Sequence, residues 1–262
     1  MKNSLSLLIA AFALASCCQK QSEELVLNDS EYFERQGVNV LVYSNLFNGG
    51  FNDEKTSGLE IIHHGVRTVQ GGAVRLSNTP EQWDLVPATP SRTVDKDNGT
   101  IEVTLRYEDY DFDSRLVVTG KGKAVEISVY LDEPLPAELE GKAGFNMEFF
   151  PGELFGKPWI MDDKAGIYPQ QPNSPVIEQE SYLDISHGHF HDGKTPHADI
   201  DHLNAEGYSP FLADRIVAEP YAVGRTFTSR PDDPYSRLTI TSYTADLKLY
   251  DGRMNHNNGW VV

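Results

Sequence analysis

The sequence predicts an all-β fold: a large, supersandwich-like antiparallel β-sandwich that follows a cleaved signal peptide. Three observations carry the prediction. Apolar and polar residues alternate at period two in stretch after stretch, as in strands with one buried face. Glycine, asparagine and proline fall between those stretches, where turns need them. No stretch keeps a helical period with a cap at each end.

Residues 1–16 read as a lipoprotein signal peptide. Lys2 supplies the positive region, Leu5 to Leu14 is apolar except for Ser6, and the small residues Ala15 and Ser16 lead into Cys17. The apolar run is shorter than the ~20 residues a membrane-spanning helix needs. Leu14-Ala15-Ser16-Cys17 has the lipobox layout, so Cys17 is the expected lipid-bearing residue; an ordinary signal with a chance cysteine is the alternative. Residues 17–36 read as the anchor and a polar tether, and residues 37–262 as the sandwich module.

Within the module, Ile101, Val103, Leu105 and Tyr107 share one face of a strand, with Glu102, Thr104 and Arg106 on the other. Val125, Ile127, Val129 and Leu131 repeat the pattern, as do Leu238 with Ile240 and Leu247 with Leu249. Asp97-Asn98-Gly99 and Gly120-Lys121-Gly122-Lys123 are placed as hairpin turns, built from residues that tolerate positive φ. Residues 162–180, with three prolines, read as a long surface loop. Asn258-Gly259-Trp260-Val261-Val262 reads as a strand just beginning, as in a truncated gene or a fragment of a longer protein.

Both cysteines, Cys17 and Cys18, lie at the start, so the body is expected to fold without disulfides. The net charge of −17 argues against nucleic acid as a partner, because phosphate backbones select basic surfaces. It also leaves attachment to anionic membrane lipid to the acyl anchor, in which each buried methylene contributes ~0.8 kcal/mol. The expected location is therefore outside the cytoplasm, lipid-anchored at the outer membrane.

Three groups of residues could carry chemistry. His187, His189 and His191 alternate and would point one way on a strand, a pattern able to offer imidazoles to a metal ion. A solvated His-rich loop is the plain alternative, and no HExxH arrangement is present. Trp83, in the turn-like Asn78-Thr79-Pro80-Glu81-Gln82-Trp83-Asp84, could stack on a sugar ring or pack in the core. Glu108, Asp109, Asp111 and Asp113 supply carboxylates that would serve a glycosidase if two faced each other across a bond; a solvated charge run is the simpler reading. His63 and His64 are adjacent, so on a strand one packs and one is exposed. Trp159 and Trp260 look like core or strand residues. No Ser-His-Asp elbow, P-loop or dinucleotide fingerprint occurs, and no cofactor is expected.

The strings FNDEKTSGLEIIHHGVRTVQGGAVRLSNTPEQWDLVP, IEVTLRYEDYDFDSRLVVTGKGKAVEISVYLDEPLPAELEGKAGFNMEF and ADLKLYDGRMNHNNGWVV resemble the N-terminal β-domain of large Bacteroidetes glycoside hydrolases of family 9. The resemblance spans roughly residues 36–160 and 210–262. It implies a module that precedes an immunoglobulin-like domain and an (α/α)₆ barrel holding the catalytic acid and base. None of the family's catalytic motifs lies in this chain, so the resemblance assigns it no catalytic residue. The expected function is a membrane-anchored, non-catalytic accessory module that contacts polysaccharide. The alternatives are a complete small glycan hydrolase using Asp111 or Asp113, and a metal-binding surface lipoprotein using the His-rich segment.

Overall fold

The computed structural model describes residues 23–43, 58–76, 87–172, 176–178, 216–255 and 259–262. It is all-β, and no α-helix occurs among the described residues. The first block comprises β1 (Val26–Leu27), β2 (Phe33–Arg35), β3 (Val38–Tyr43), β4 (Gly58–His63) and β5 (Val66–Arg75). A second holds β6 (Ala88–Asp95), β7 (Thr100–Tyr107), β8 (Phe112–Lys121) and β9 (Ala124–Tyr130). Then come β10 (Gly144–Phe149), β11 (Pro158–Met161), β12 (Lys164–Ile167), β13 (Val176–Glu178) and β14 (Ile216–Ala218). The last block is β15 (Ala222–Gly224), β16 (Thr226–Ser229), β17 (Leu238–Thr241), β18 (Leu247–Asp251) and β19 (Trp260–Val261).

Nine strands form one antiparallel sheet in the order β1-β2-β3-β4-β5-β10-β19-β18-β15. Two four-stranded sheets, β6-β7-β8-β9 and β12-β11-β16-β17, pack on it, and β13 pairs with β14 as a separate ribbon. Cross-strand partners project to the same face, so Val40, Ile61, Val69, Phe149 and Trp260 form one row across the large sheet. This is the core face. On its β1–β5 half, Phe33 lies beside Gly120 of β8, and the Tyr107 hydroxyl donates to the Val74 carbonyl. On the other half, Phe149 meets Phe227 edge-on at 5.7 Å, and Tyr168 lies 4.7 Å from Trp260. The large sheet thus carries both small sheets on one face.

Both predicted hairpin turns are present, joining β6 to β7 and β8 to β9. Ile101, Val103, Leu105 and Tyr107 are buried as the alternation predicts. The β9 pattern is realised only in part. Val125 and Ile127 pack against the core, while Val129 stays 37% exposed and Leu131 falls beyond the strand, because β9 is an edge strand.

Two sequence expectations need correction. Residues 17–36 are not a tether throughout, since β1 and β2 fall inside that span and Phe33 is fully buried. The burying surface comes from β8, far along the chain, so a local pattern could not reveal it. Residues 162–180 are not one loop either. Lys164–Ile167 forms β12, with Gly166 beneath the Trp159 ring, where a Cβ would lie only 2.3 Å from a ring carbon. The strand read at the C-terminal residues is present, and it lies inside the large sheet. Trp260 and Val261 insert between β10 and β18, and Val262 exchanges two backbone hydrogen bonds with Met147 at 2.8 and 2.9 Å.

Candidate functional site

Among the described residues, the outer face of β16 and β17 is a candidate ligand surface. Period two sends Phe227, Ser229, Leu238 and Ile240 toward the core and leaves Thr226, Thr228, Thr239 and Thr241 facing out. Register pairs Thr226 with Thr241 and Thr228 with Thr239, whose hydroxyls lie 3.0 Å apart. The result is a two-rung threonine ladder. Tyr235 precedes β17 and Tyr243 follows it, 74% and 87% exposed. Tyr235 is held in place: its N–H donates to Asp233 Oδ1 at 2.9 Å, and its carbonyl lies 3.1 Å from His64 Nε2. Hydroxyls can exchange hydrogen bonds with a glycan, and a phenol ring offers an apolar face to a sugar ring with a polar tip in water.

The carboxylates singled out in the sequence are engaged elsewhere. Arg106 donates to both Asp111 and Asp113, the latter at 3.1 Å, beside the turn that joins β7 to β8. Arg115 donates to Asp132 at 2.9 Å and to Glu102 at 3.4 Å, and lies over the Tyr130 ring at 5.3 Å. Solvent screens these exposed pairs, so they hold the side chains only weakly.

A different pair of carboxyls faces the other way. Glu60 and Glu148 project from the side of the large sheet opposite the core row, with Gln70 between them. Gln70 Nε2 donates to Glu148 at 3.0 Å, and Arg67 Nε lies 3.2 Å from Glu60. Burial raises the Glu60 carboxyl above its usual range, opposed by Arg67 and by a hydrogen bond from Tyr43. At 3% and 5% exposed, both carboxyls are closed to a polymeric substrate. Sequence reasoning missed this pair because each sits alone in an apolar stretch and only the sheet brings them together.

A cleft of about 310 Å³ lies between the Ser30–Tyr32 turn and Leu41–Tyr43, with Arg92 in its wall. Arg92 is committed there, donating to the Val42 carbonyl at 2.9 Å and to Glu31 at 2.7 Å.

The two adjacent histidines divide as expected. His63 is buried and bonded through Nδ1 to Thr68 Oγ1 at 3.1 Å, while His64 is exposed against Tyr235. Burial lowers the His63 pKa to about 4, with further lowering from the positive charges of Arg230 and Arg35. Trp159 and Trp260 are core residues, as read. Cys17, Trp83, His187, His189 and His191 lie outside the described residues. Among the described residues, no group of three His, Cys, Asp or Glu side chains is arranged to hold a metal ion. No helix among them is long and apolar enough to cross a membrane.

The fold and this surface define a large antiparallel β-sandwich with a hydroxyl-rich strip on its outer face. No family model, curated protein or solved structure matches the chain.

Proposed function

We propose that this chain is an accessory module of a polysaccharide-degrading glycoside hydrolase, non-catalytic, exported and lipid-anchored to the outer membrane through Cys17, and that it contacts glycan. The observation that carries the glycan contact is the threonine ladder of β16 and β17 set between Tyr235 and Tyr243. A polysaccharide presents hydroxyls and apolar ring faces in repeat, and this surface offers the complement of both without a charge to desolvate among its four threonines. The anchor and the enzyme family are supported by the signal layout and the sequence resemblance. A catalytic role would need accessible facing carboxyls, whereas Glu60 and Glu148 are buried and Asp111 and Asp113 share Arg106.

The test is retention of the exported chain on immobilised cellulose, xylan and mixed-linkage glucan, for wild type and for Tyr235→Ala/Tyr243→Ala. Losing two stacked rings should weaken binding about tenfold, ~1.4 kcal/mol, with unchanged melting temperature. Absence of retention on every polysaccharide, or equal retention by the double variant, would refute this surface as the glycan contact. Labelled palmitate should enter the wild-type chain and not Cys17→Ala.

A further inference from the structure

One cluster plays no part in the glycan reading. Arg35 pairs with Val38, and Val38 pairs with His63, so the three form a row across β2, β3 and β4 on the core face. Neighbouring strands lie ~4.8 Å apart, which sets the Arg35 and His63 backbones about 10 Å apart over the apolar floor of Val38. Arg230 arrives from the end of β16. Its N–H donates to the Pro158 carbonyl at 2.9 Å, its carbonyl accepts from the Asp233 N–H at 3.0 Å, and its φ is +52°. That left-handed conformation is costly for a residue with a Cβ. Arg230 is nevertheless 5% exposed, and its Nε, like that of Arg35, is buried with no hydrogen-bond acceptor. Both arginines act electrostatically on His63, as do His64 and Asp233.

Asp233 and Glu23 act as distant counter-charges to Arg230 and Arg35, but neither carboxylate hydrogen-bonds a buried Nε. Asp233 Oδ1 accepts the N–H groups of Tyr235 and Ser236, and Glu23 pairs with Lys123. Buried donors almost always find acceptors. Two buried guanidinium nitrogens without acceptors, beside a buried imidazole, are the half of an ion site that the protein supplies.

We propose that Arg35, Arg230 and His63 form a binding site for a small free oxyanion, of sulfate or carboxylate size, at the junction of β2–β4 with the turn after β16. The guanidinium forks supply charge-assisted donors, and His63, whose Nδ1 is bonded to Thr68, adds a donor through Nε2 when that nitrogen carries a proton. The burial of Arg230 and His63 limits the ligand to a small ion and leaves the outer glycan face independent of it.

The test follows the His63 imidazole by NMR, and the melting temperature of the whole chain, during addition of sulfate, acetate or chloride at equal ionic strength. Sulfate or acetate at millimolar concentration should move the His63 titration upward and raise the melting temperature, because the bound anion offsets the two arginines and binds only the folded chain. A sulfate response assigns a tetrahedral oxyanion, an acetate response a carboxylate; both support the site. Arg230→Gln should weaken the binding at least about tenfold. Arg35→Gln, at a less buried position, gives the same comparison if Arg230→Gln fails to fold. Equal responses to chloride and the oxyanions, or an oxyanion response retained in Arg35→Gln, would overturn the proposal.

Discussion

Replacing Asp251 by alanine tests how the C-terminal half of the large sheet is held. Asp251 ends β18 and is fully buried. It accepts from Arg253 Nε at 2.9 Å, Arg253 Nη2 at 2.8 Å and the Arg253 N–H at 3.2 Å. Arg253, with its side chain 12% exposed, also donates to the carbonyls of Pro169 and Gln170 and lies 4.3 Å over the Trp260 ring. Asp251→Ala would leave a guanidinium over a buried indole without its counter-charge. Breaking one side of such a pair costs about 3–5 kcal/mol. A chain of this size loses ~2–4 °C of melting temperature per kcal/mol, so the midpoint should fall on the order of 6–20 °C. Urea unfolding followed by tryptophan fluorescence measures the difference directly. The double variant Asp251→Ala/Arg253→Met removes both charges and keeps an apolar cover on Trp260, so it should recover about half of the loss or more. A single-variant loss below about 1 kcal/mol, or a double variant no better than the single, would refute this account of the pair.

Two further perturbations read other parts of the fold. His63 is depressed in the folded state to about 4, so between that value and its ordinary ~6.5 the unfolded chain binds the extra proton, and stability should fall by up to about 3 kcal/mol as pH drops through that window. Urea titrations of wild type and His63→Gln in oxyanion-free buffer isolate this slope from carboxylate effects; parallel curves would contradict it. Gly259 precedes β19, and a Cβ there would lie 1.8 Å from the Phe149 carbonyl oxygen, so Gly259→Ala should destabilise by more than about 2 kcal/mol and expose Trp260 to fluorescence quenchers.

The parts of the fold legible in the sequence are those whose cause is local. Ile101 to Tyr107 alternates, pairs with the next strand through a short turn and is buried as its pattern requires. His63 and His64 split between core and surface because neighbouring strand positions face opposite ways. What escaped depends on remote contacts. Phe33 stands between polar residues, and its burial is decided by β8. Lys164–Ile167 holds one large apolar residue, Ile167, itself 63% exposed, and is a strand because β11 pairs with it. The threonines of β16 and β17 do alternate with apolar residues, so their outward face was readable. Threonine carries no charge or metal-binding group to draw attention, and only the register of the two strands turns four residues into a ladder.

The same distinction explains where functional groups collect. Local alternation separates apolar from polar faces, but the chemistry of a face depends on which strands become neighbours. The large sheet takes β1–β5 from one part of the chain and β10, β15, β18 and β19 from others. Glu60 and Glu148 meet around Gln70 only because β10 pairs with β5. Tyr235 reaches His64, and the Arg230 charge acts on His63, because the turn between β16 and β17 is laid against the β4–β5 turn. Gly37 fixes that approach from the other side: its φ is +75°, and a Cβ on it would sit 2.4 Å from the His64 ring. The junction therefore joins one half of the fold to the other through groups that carry charge. An anion held between Arg35 and Arg230 would bind the β2–β4 side to the β16 side, so its occupancy should raise the stability of the whole chain rather than of one turn.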